Sequence, residues 1–265
     1  MKFTGALSKM ATIHEKPVHY ALTIGEDVLA MNRLISKQLT FSFLHKHLCY
    51  CGELKDKVYR NNFCYDCYFS KAAAGEAIFR PELSKAHLNI EDRDLTFEKG
   101  YQLQPHIVYL ANSGGLKVGV TRKRQQETRW MDQGASKTIL LAETPNRYEA
   151  GVIEVFLKDH LSDKTNWQRM LKNHESEVDL ASEKKRLIEL LPDDMRNFVS
   201  EDNTIYEFLY PVENFPTKVS SVNLSKKDMF EGVLAGIRGQ YLIFSGGQVL
   251  NVRSHEGFIV DLDVR

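Results

Sequence analysis

Four cysteines fall within the stretch CYCGELKDKVYRNNFCYDC, residues 49–67. Cys49 and Cys51 form one close pair, and Cys64 and Cys67 form a second twelve residues later. Two such pairs can close a tetrahedral zinc site, because each pair turns tightly around the ion. Two C-x-x-C pairs would be the usual pattern. Here the first pair is one residue short, which leaves His45 or His47 as alternative ligands. Four protein ligands leave no open position for a substrate, so the expected role is structural. The competing reading is four reduced thiols with no metal. A second concentration is basic. Lys117, Arg122, Lys123, Arg124 and Arg129 lie between residues 117 and 129, with only Glu127 opposing them. Such a group can bind phosphates and release their counterions. It can equally be a solvated surface.

The elements that would carry the basic group lie between residues 105 and 167. Ile107–Ala111 and Leu116–Val120 are apolar runs flanking Asn112-Ser113-Gly114-Gly115, which predicts a β-hairpin with Val108 and Val118 on adjacent strands. A basic helix follows, then a third strand over Thr138–Ala142. Thr144-Pro145 then predicts a helix start, with Thr as N-cap and Pro at the first helical position. Val152, Val155 and Phe156 recur at three- and four-residue spacing, so they are the face expected to pack on the sheet.

This order of elements resembles the GIY-YIG nuclease domain, in particular its small single-domain members. Val108-Tyr109-Leu110 is similar to the first motif, and Leu116-Lys117-Val118-Gly119-Val120-Thr121 to the second. The run from Pro145 through Arg147, Glu149 and Ala150 to Glu154 is similar to the helix that carries the metal-binding glutamate. The resemblance implies a catalytic set of Tyr109, Lys117, Arg129, Glu154 and Asn166. Glu154 would hold Mg²⁺ or Mn²⁺ and Arg129 would neutralise phosphate charge in the transition state. Tyr109 would position water or act as a base, helped by the metal or by Lys117. Two positions depart from the pattern. Lys117 stands where the family has a second tyrosine, and Glu127 stands where the helix arginine is usual. Arg129 lies two residues beyond that place, and Arg124 is the alternative. Each residue also has a structural reading: Tyr109 as a core aromatic, Arg129 paired with Glu127 or Asp132, Glu154 paired with Lys158. The phrases KVGVT, RWMDQGA and DKTNW further resemble an uncharacterised bacterial family, a domain of unknown function, over most of the chain. That likeness implies no activity.

The whole chain balances 35 Lys+Arg against 35 Asp+Glu, which argues against a non-specific nucleic-acid coat. Residues 105–170 carry ten Lys/Arg against seven Asp/Glu, so any nucleic-acid surface must be local. No long apolar run predicts a membrane span, and the first twenty residues lack the apolar core of a secretory signal. The expected compartment is the cytoplasm, where clustered cysteines point to metal rather than disulfides. Residues 1–48 read as β-rich, 49–104 as a zinc knuckle and connector, 105–175 as the GIY-YIG-like unit, 176–202 as a helical connector and 203–265 as β-rich. The charged run Glu183-Lys184-Lys185-Arg186 reads as a solvated helix face. The fold class is therefore α+β, with a small central sheet, packed helices and a barrel-like part built from both ends of the chain. The expected function is nucleic-acid processing, on DNA or RNA, by a metal-dependent endonuclease. The alternatives are a zinc-containing nucleic-acid binder whose nuclease site has decayed, or a protein-binding scaffold.

Overall fold

Side chains alternate across the central sheet, and that alternation separates the two largest cores of the protein. The computed structural model describes residues 1–161 and 166–265; of the phrase DKTNW only Asn166 and Trp167 are among them. Helices α1 (Tyr65–Ser70) and α2 (Leu95–Gln102), with a single helical turn at Glu76–Phe79 between them, precede the central unit. That unit runs β1 (His106–Asn112), β2 (Leu116–Arg122), α3 (Gln126–Asp132), β3 (Lys137–Thr144) and α4 (Arg147–Lys158). Helix α5 (Leu180–Leu190) and the short β4 (Ile205–Glu207) follow. The strand order is β4-β3-β1-β2, all antiparallel, with β2 at one edge. Val118 pairs with Leu110 and Val108 with Val120, so the hairpin forms as its sequence predicts.

Every residue of β1 is buried, because both faces of this strand are covered. Ile107, Tyr109 and Ala111 face one core with Trp130 of α3. Val108 and Leu110 face the other, with Ala150, Ile153 and Leu157 of α4 and Leu187 of α5. Helices α3 and α4 therefore flank opposite faces of one sheet.

Helix α4 differs from its expected form in two ways. Its N-cap is Asn146, whose side chain accepts a hydrogen bond from the Glu149 N–H at 3.0 Å. Thr144 is the last residue of β3, and its hydroxyl donates to the Asn146 carbonyl at 2.8 Å. Asn offers the N-cap the same acceptor as Thr, and the sheet claims Thr144 first. Asn146→Ala should cost about 1 kcal/mol, measured by urea unfolding. The sheet-facing row is also rotated. Arg147, Ala150, Ile153, Glu154 and Leu157 are buried, whereas Val155 is 41% exposed. Ala150, Ile153 and Leu157 pack on the sheet, and the buried face also carries an arginine and a glutamate inward. Gly151 is buried instead against the turn Pro81–Leu83: a Cβ there would lie 2.3 Å from the Glu82 nitrogen.

The two chain ends share an eight-stranded sheet. Its path runs Lys2–Ala6, Phe258–Val264, Gln38–Leu48, Met229–Arg238, Tyr241–Phe244, Gln248–Asn251 and Ser220–Val222, with Leu54–Lys55 added to Gln38–Leu48. A three-stranded sheet, Ala11–Ile13, His19–Ile24 and Asp27–Ala30, packs into the same core. The expected barrel-like part is an open sheet. Its edge strands, Lys2–Ala6 and Ser220–Val222, are short and do not pair with each other. The small sheet and the Tyr109 face of the central sheet fill the core that a barrel would have closed around. Among the described residues no helix is long and apolar enough to cross a membrane.

His106, at the start of β1, is fully buried; its Nδ1 lies 2.7 Å from the Gln104 carbonyl, and its Nε2 has no hydrogen-bond partner among the described residues. Burial pushes its pKa down to about 4; the Gln104 hydrogen bond opposes this, and the charges of Arg147 and Arg122 add to it. The folded state therefore binds this proton more weakly than the unfolded chain. The stability linked to neutral His106 is present above pH ~6.5 and is lost as pH falls toward 4, by about 3 kcal/mol. The stability difference between wild type and His106→Gln should shrink across that interval, measured by denaturant unfolding at stepped pH.

Candidate functional site

Edge strand β2 lines a cavity of about 450 Å³, and helices from both faces of the sheet reach around it. Arg129 and Gln133 come from α3 and its C-terminal end, and Arg147, Glu154 and Lys158 come from α4. Tyr101 of α2 and Arg122 of β2 add to the lining, as do Lys9 and Arg253 from the terminal regions. Six basic side chains, Lys9, Arg122, Arg129, Arg147, Lys158 and Arg253, thus face two carboxylates, Asp132 and Glu154. Asp132 is paired with Lys9 and accepts from Gln240 at 2.8 Å. Lys158 lies 3.3 Å from Glu154. The remaining cations leave the cavity positive, which suits a phosphate-bearing ligand.

Tyr109 lies behind the cavity wall. Its hydroxyl donates to Gln133 Oε1 at 3.0 Å, and its ring packs edge-on against Trp130 at 5.7 Å. Gly119, its partner across the hairpin, has no side chain because the tyrosine occupies that space: a Cβ there would lie 2.7 Å from the hydroxyl. Burial pushes the Tyr109 pKa up to about 12, against the charge of Arg129 and the Gln133 hydrogen bond. Its hydroxyl stays protonated at neutral pH, in contact with residues that line the cavity.

Glu154 is 9% exposed; burial raises its pKa, against the charge of Lys158. Arg147 is held in place by donating to the Ala77 carbonyl at 2.9 Å and the Ile78 carbonyl at 2.6 Å. The guanidinium carbons of Arg122 and Arg147 lie 4.6 Å and 5.3 Å from the centre of the Tyr101 ring. Burial lowers the pKa of both arginines, so each gains from an anion brought near it.

The predicted basic set divides. Arg122 and Arg129 line the cavity. Lys117 is half-buried on β2 outside the lining; burial lowers its pKa to about 8, and the Arg129 charge adds to this. Lys123 pairs with Glu143 of β3 at 2.7 Å, and Arg124 is exposed in the turn before α3. Asn166 caps the helix Trp167–Leu171, its side chain accepting from the Gln168 N–H at 2.8 Å. It sits at the hairpin turn, where a Cβ on Gly114 would lie 2.9 Å from its carbonyl oxygen. That places it away from the cavity lining. Arg147 and Lys158 could have been read from sequence, since they stand seven residues before and four after Glu154 on one helix face. Tyr101, Lys9 and Arg253 come from distant segments with no local pattern to mark them.

The four cysteines form a separate centre. Their sulfurs lie within 4.8 Å of one another, close enough to hold one metal ion such as zinc. Gly52, at φ +86°, donates its N–H to the Cys49 carbonyl at 2.8 Å and closes the first pair's turn. The Cys64 N–H points at Cys49 Sγ at 3.1 Å. Cys64 is the N-cap of α1 and Cys67 lies in its first turn. Asn61 and Asn62, both at positive φ, make the turn that returns the chain to Cys64. Cys67 is buried, and its thiol pKa is pushed up to about 12 by burial and by hydrogen bonds with the other cysteines. The histidine alternatives fall away. His45 is exposed, 3.6 Å from Asp228. His47 packs against Phe43 and Phe258 at 5.3 Å and 4.5 Å. The four sulfurs complete the set without them.

A mixed α+β fold, a cysteine cluster able to hold a metal and a cationic cavity at a sheet edge define the class. The chain belongs to the family described as "Protein of unknown function (DUF2797)", which it matches over residues 36–260. That span includes both the cysteine cluster and nearly all of the cavity. No curated protein and no solved structure is significantly similar to the chain.

Proposed function

We propose that the protein binds nucleic acid across the cavity at the edge of β2 and hydrolyses a phosphodiester there, as a GIY-YIG-like enzyme. One observation carries the reading. Arg129 and Glu154, the two charged residues that the GIY-YIG resemblance pairs, reach one cavity from helices on opposite faces of the sheet. A phosphate in that cavity would meet Arg129 on one side and the α4 carboxylate on the other. Arg122 and Arg147, held beside Tyr101, would bind flanking phosphates. Glu154 is a single carboxylate, and one suffices when phosphate oxygens and waters supply the other ligands of Mg²⁺ or Mn²⁺. When bound, such an ion supplies Lewis acidity at the phosphoryl oxygen. Tyr109 is fully buried and its hydroxyl donates to Gln133, which lines the cavity, so in this reading it acts as a positioning residue through that contact.

A second reading is favoured by Lys158, whose ammonium already lies 3.3 Å from Glu154. If that pair persists in the complex, the cavity binds phosphates without cleaving them. The test is a titration of labelled DNA and RNA hairpins, flaps and single strands, with and without Mn²⁺. Salt-sensitive binding is expected. Arg122→Ala with Arg129→Ala should weaken it for all sequences and reduce its salt slope by about 2, because two phosphate contacts are lost. Lys123→Ala with Arg124→Ala should change it little, since neither residue lines the cavity. Absence of binding to every substrate at near-physiological salt would sink both readings and leave a scaffold role.

A further inference from the structure

The cysteine cluster carries a half-exposed aromatic surface. Tyr59, Tyr65, Phe69 and Phe79 are 50%, 62%, 51% and 55% exposed. The Tyr65 and Phe69 rings stand one helical turn apart on α1, 4.7 Å between centres. Tyr59 lies 5.5 Å from each, brought there by the turn at Asn61 and Asn62. Cys64 and Cys67 belong to the same helix start, so a metal on the four sulfurs would fix that turn and the rings it carries. Water-exposed rings gathered in one patch mark a contact surface rather than a core.

Two further observations say what the patch contacts. Beside it lies a groove of about 610 Å³ lined by Tyr68, Phe69 and Phe79 with Arg60, Arg80 and Arg93; Arg80 pairs with Glu76 and Glu82 at 3.1 Å and 3.0 Å, and Arg93 donates to the Tyr68 and Lys71 carbonyls. Phe79 also lines the cationic cavity at β2, so groove and cavity meet at one ring. A strand whose backbone enters the cavity can pass over Phe79 and continue along the groove without leaving the protein.

We propose that Tyr59, Tyr65, Phe69 and Phe79 form a stacking platform for unpaired bases of a single-stranded segment continuous with the strand in the cavity. The proposal rests on the nucleic-acid reading above and names its substrate class. Aromatic faces accept any base that is free to stack, and guanidinium groups beside them attract the connecting phosphates. A blunt duplex cannot use the platform, because its base faces are already stacked on each other.

The test uses the full chain and an aminopurine-labelled single-stranded oligonucleotide, with a blunt duplex of the same sequence for comparison. Tyr65→Ala with Phe69→Ala should weaken single-strand binding by roughly tenfold to a hundredfold. It should also abolish the stacking quench of the aminopurine and leave duplex binding and the salt slope unchanged. Exchanging the rings, Tyr65→Phe with Phe69→Tyr, should retain both affinity and quench. An unchanged thermal transition shows that each variant is folded. If the alanine pair binds the single strand like wild type while Arg122→Ala with Arg129→Ala does not, the platform is refuted and the nucleic-acid reading stands. If wild type binds neither form, both are refuted, and the aromatic patch is left for a protein partner.

Discussion

Freshly purified protein should contain about one zinc per chain, and Cys64→Ser should remove it. The four sulfurs already lie within 4.8 Å of one another, close enough to hold one metal ion such as zinc. Bringing four sulfurs together carries a cost that a divalent ion offsets, because a bound cation deprotonates the thiols and attracts the resulting thiolates. Leu54–Lys55 joins this segment to the eight-stranded sheet, but among the described residues its buried apolar cluster is small: Cys49, Phe63, Cys67 and Ala74. Metal binding is then a large part of what orders residues 49–67, since the free energy of a structural zinc site is folding free energy. The expected result is loss of zinc by elemental analysis and a thermal transition lower by on the order of 10 °C. Faster proteolysis should be confined to the segment around the Asn61-Asn62 turn. The core of the open sheet and the central sheet, which contacts none of the sulfurs, should hold its secondary structure. Metal-free wild-type protein with an unchanged melting temperature would refute the assignment.

The sequence revealed local pattern well and inward-facing charge badly. The hairpin of β1 and β2 was legible because its apolar runs and Gly pair are adjacent in the chain. The cysteine cluster was legible for the same reason. The face of α4 was not, because a rule that seeks apolar residues passes over Arg147 and Glu154, which the buried face carries inward. Lys184 repeats the lesson. Inside a charged run that read as a solvated face, it is 2% exposed and donates to the carbonyls of Ser200 and Asp202 at 2.8 Å and 2.6 Å. Two backbone acceptors satisfy its ammonium, and nothing in the local sequence announces them. The division of the basic set has the same origin. Residues 117 to 129 span a strand, a turn and a helix, so their side chains leave in different directions, and Lys123 finds Glu143 on β3. The cavity also draws Tyr101, Lys9 and Arg253 from segments far apart in the chain, and only the tertiary fold brings these together.

Glu154→Gln should abolish any cleavage that depends on Mg²⁺ or Mn²⁺ while tightening the binding of nucleic acid. The glutamine keeps the shape of the side chain on the buried row of α4, and burial already disfavours the charged form of Glu154. The helix should therefore stay on the sheet, with an unchanged thermal transition. What changes is charge. Glu154 is one of two carboxylates among the cavity's six basic side chains, and Asp132 is already committed to Lys9. Its loss frees Lys158 from a partner at 3.3 Å and takes the carboxylate's charge away from Arg147. Phosphate affinity should rise by about threefold to tenfold at low salt, with a steeper salt dependence, because another cation becomes able to displace counterions. If the cavity hydrolyses phosphodiesters, the same change should lower the rate by on the order of a thousandfold, since the side chain that would hold the ion beside the phosphate is gone. Arg129→Ala acts in the opposite sense on binding and in the same sense on cleavage. The two variants together therefore separate the readings through single-turnover cleavage and fluorescence anisotropy on one substrate. Tighter binding with no cleavage by either wild type or variant identifies a phosphate-binding cavity without hydrolysis. Weaker binding in Glu154→Gln would mean that the carboxylate organises Arg147 and Lys158 for the ligand, and would refute the charge argument.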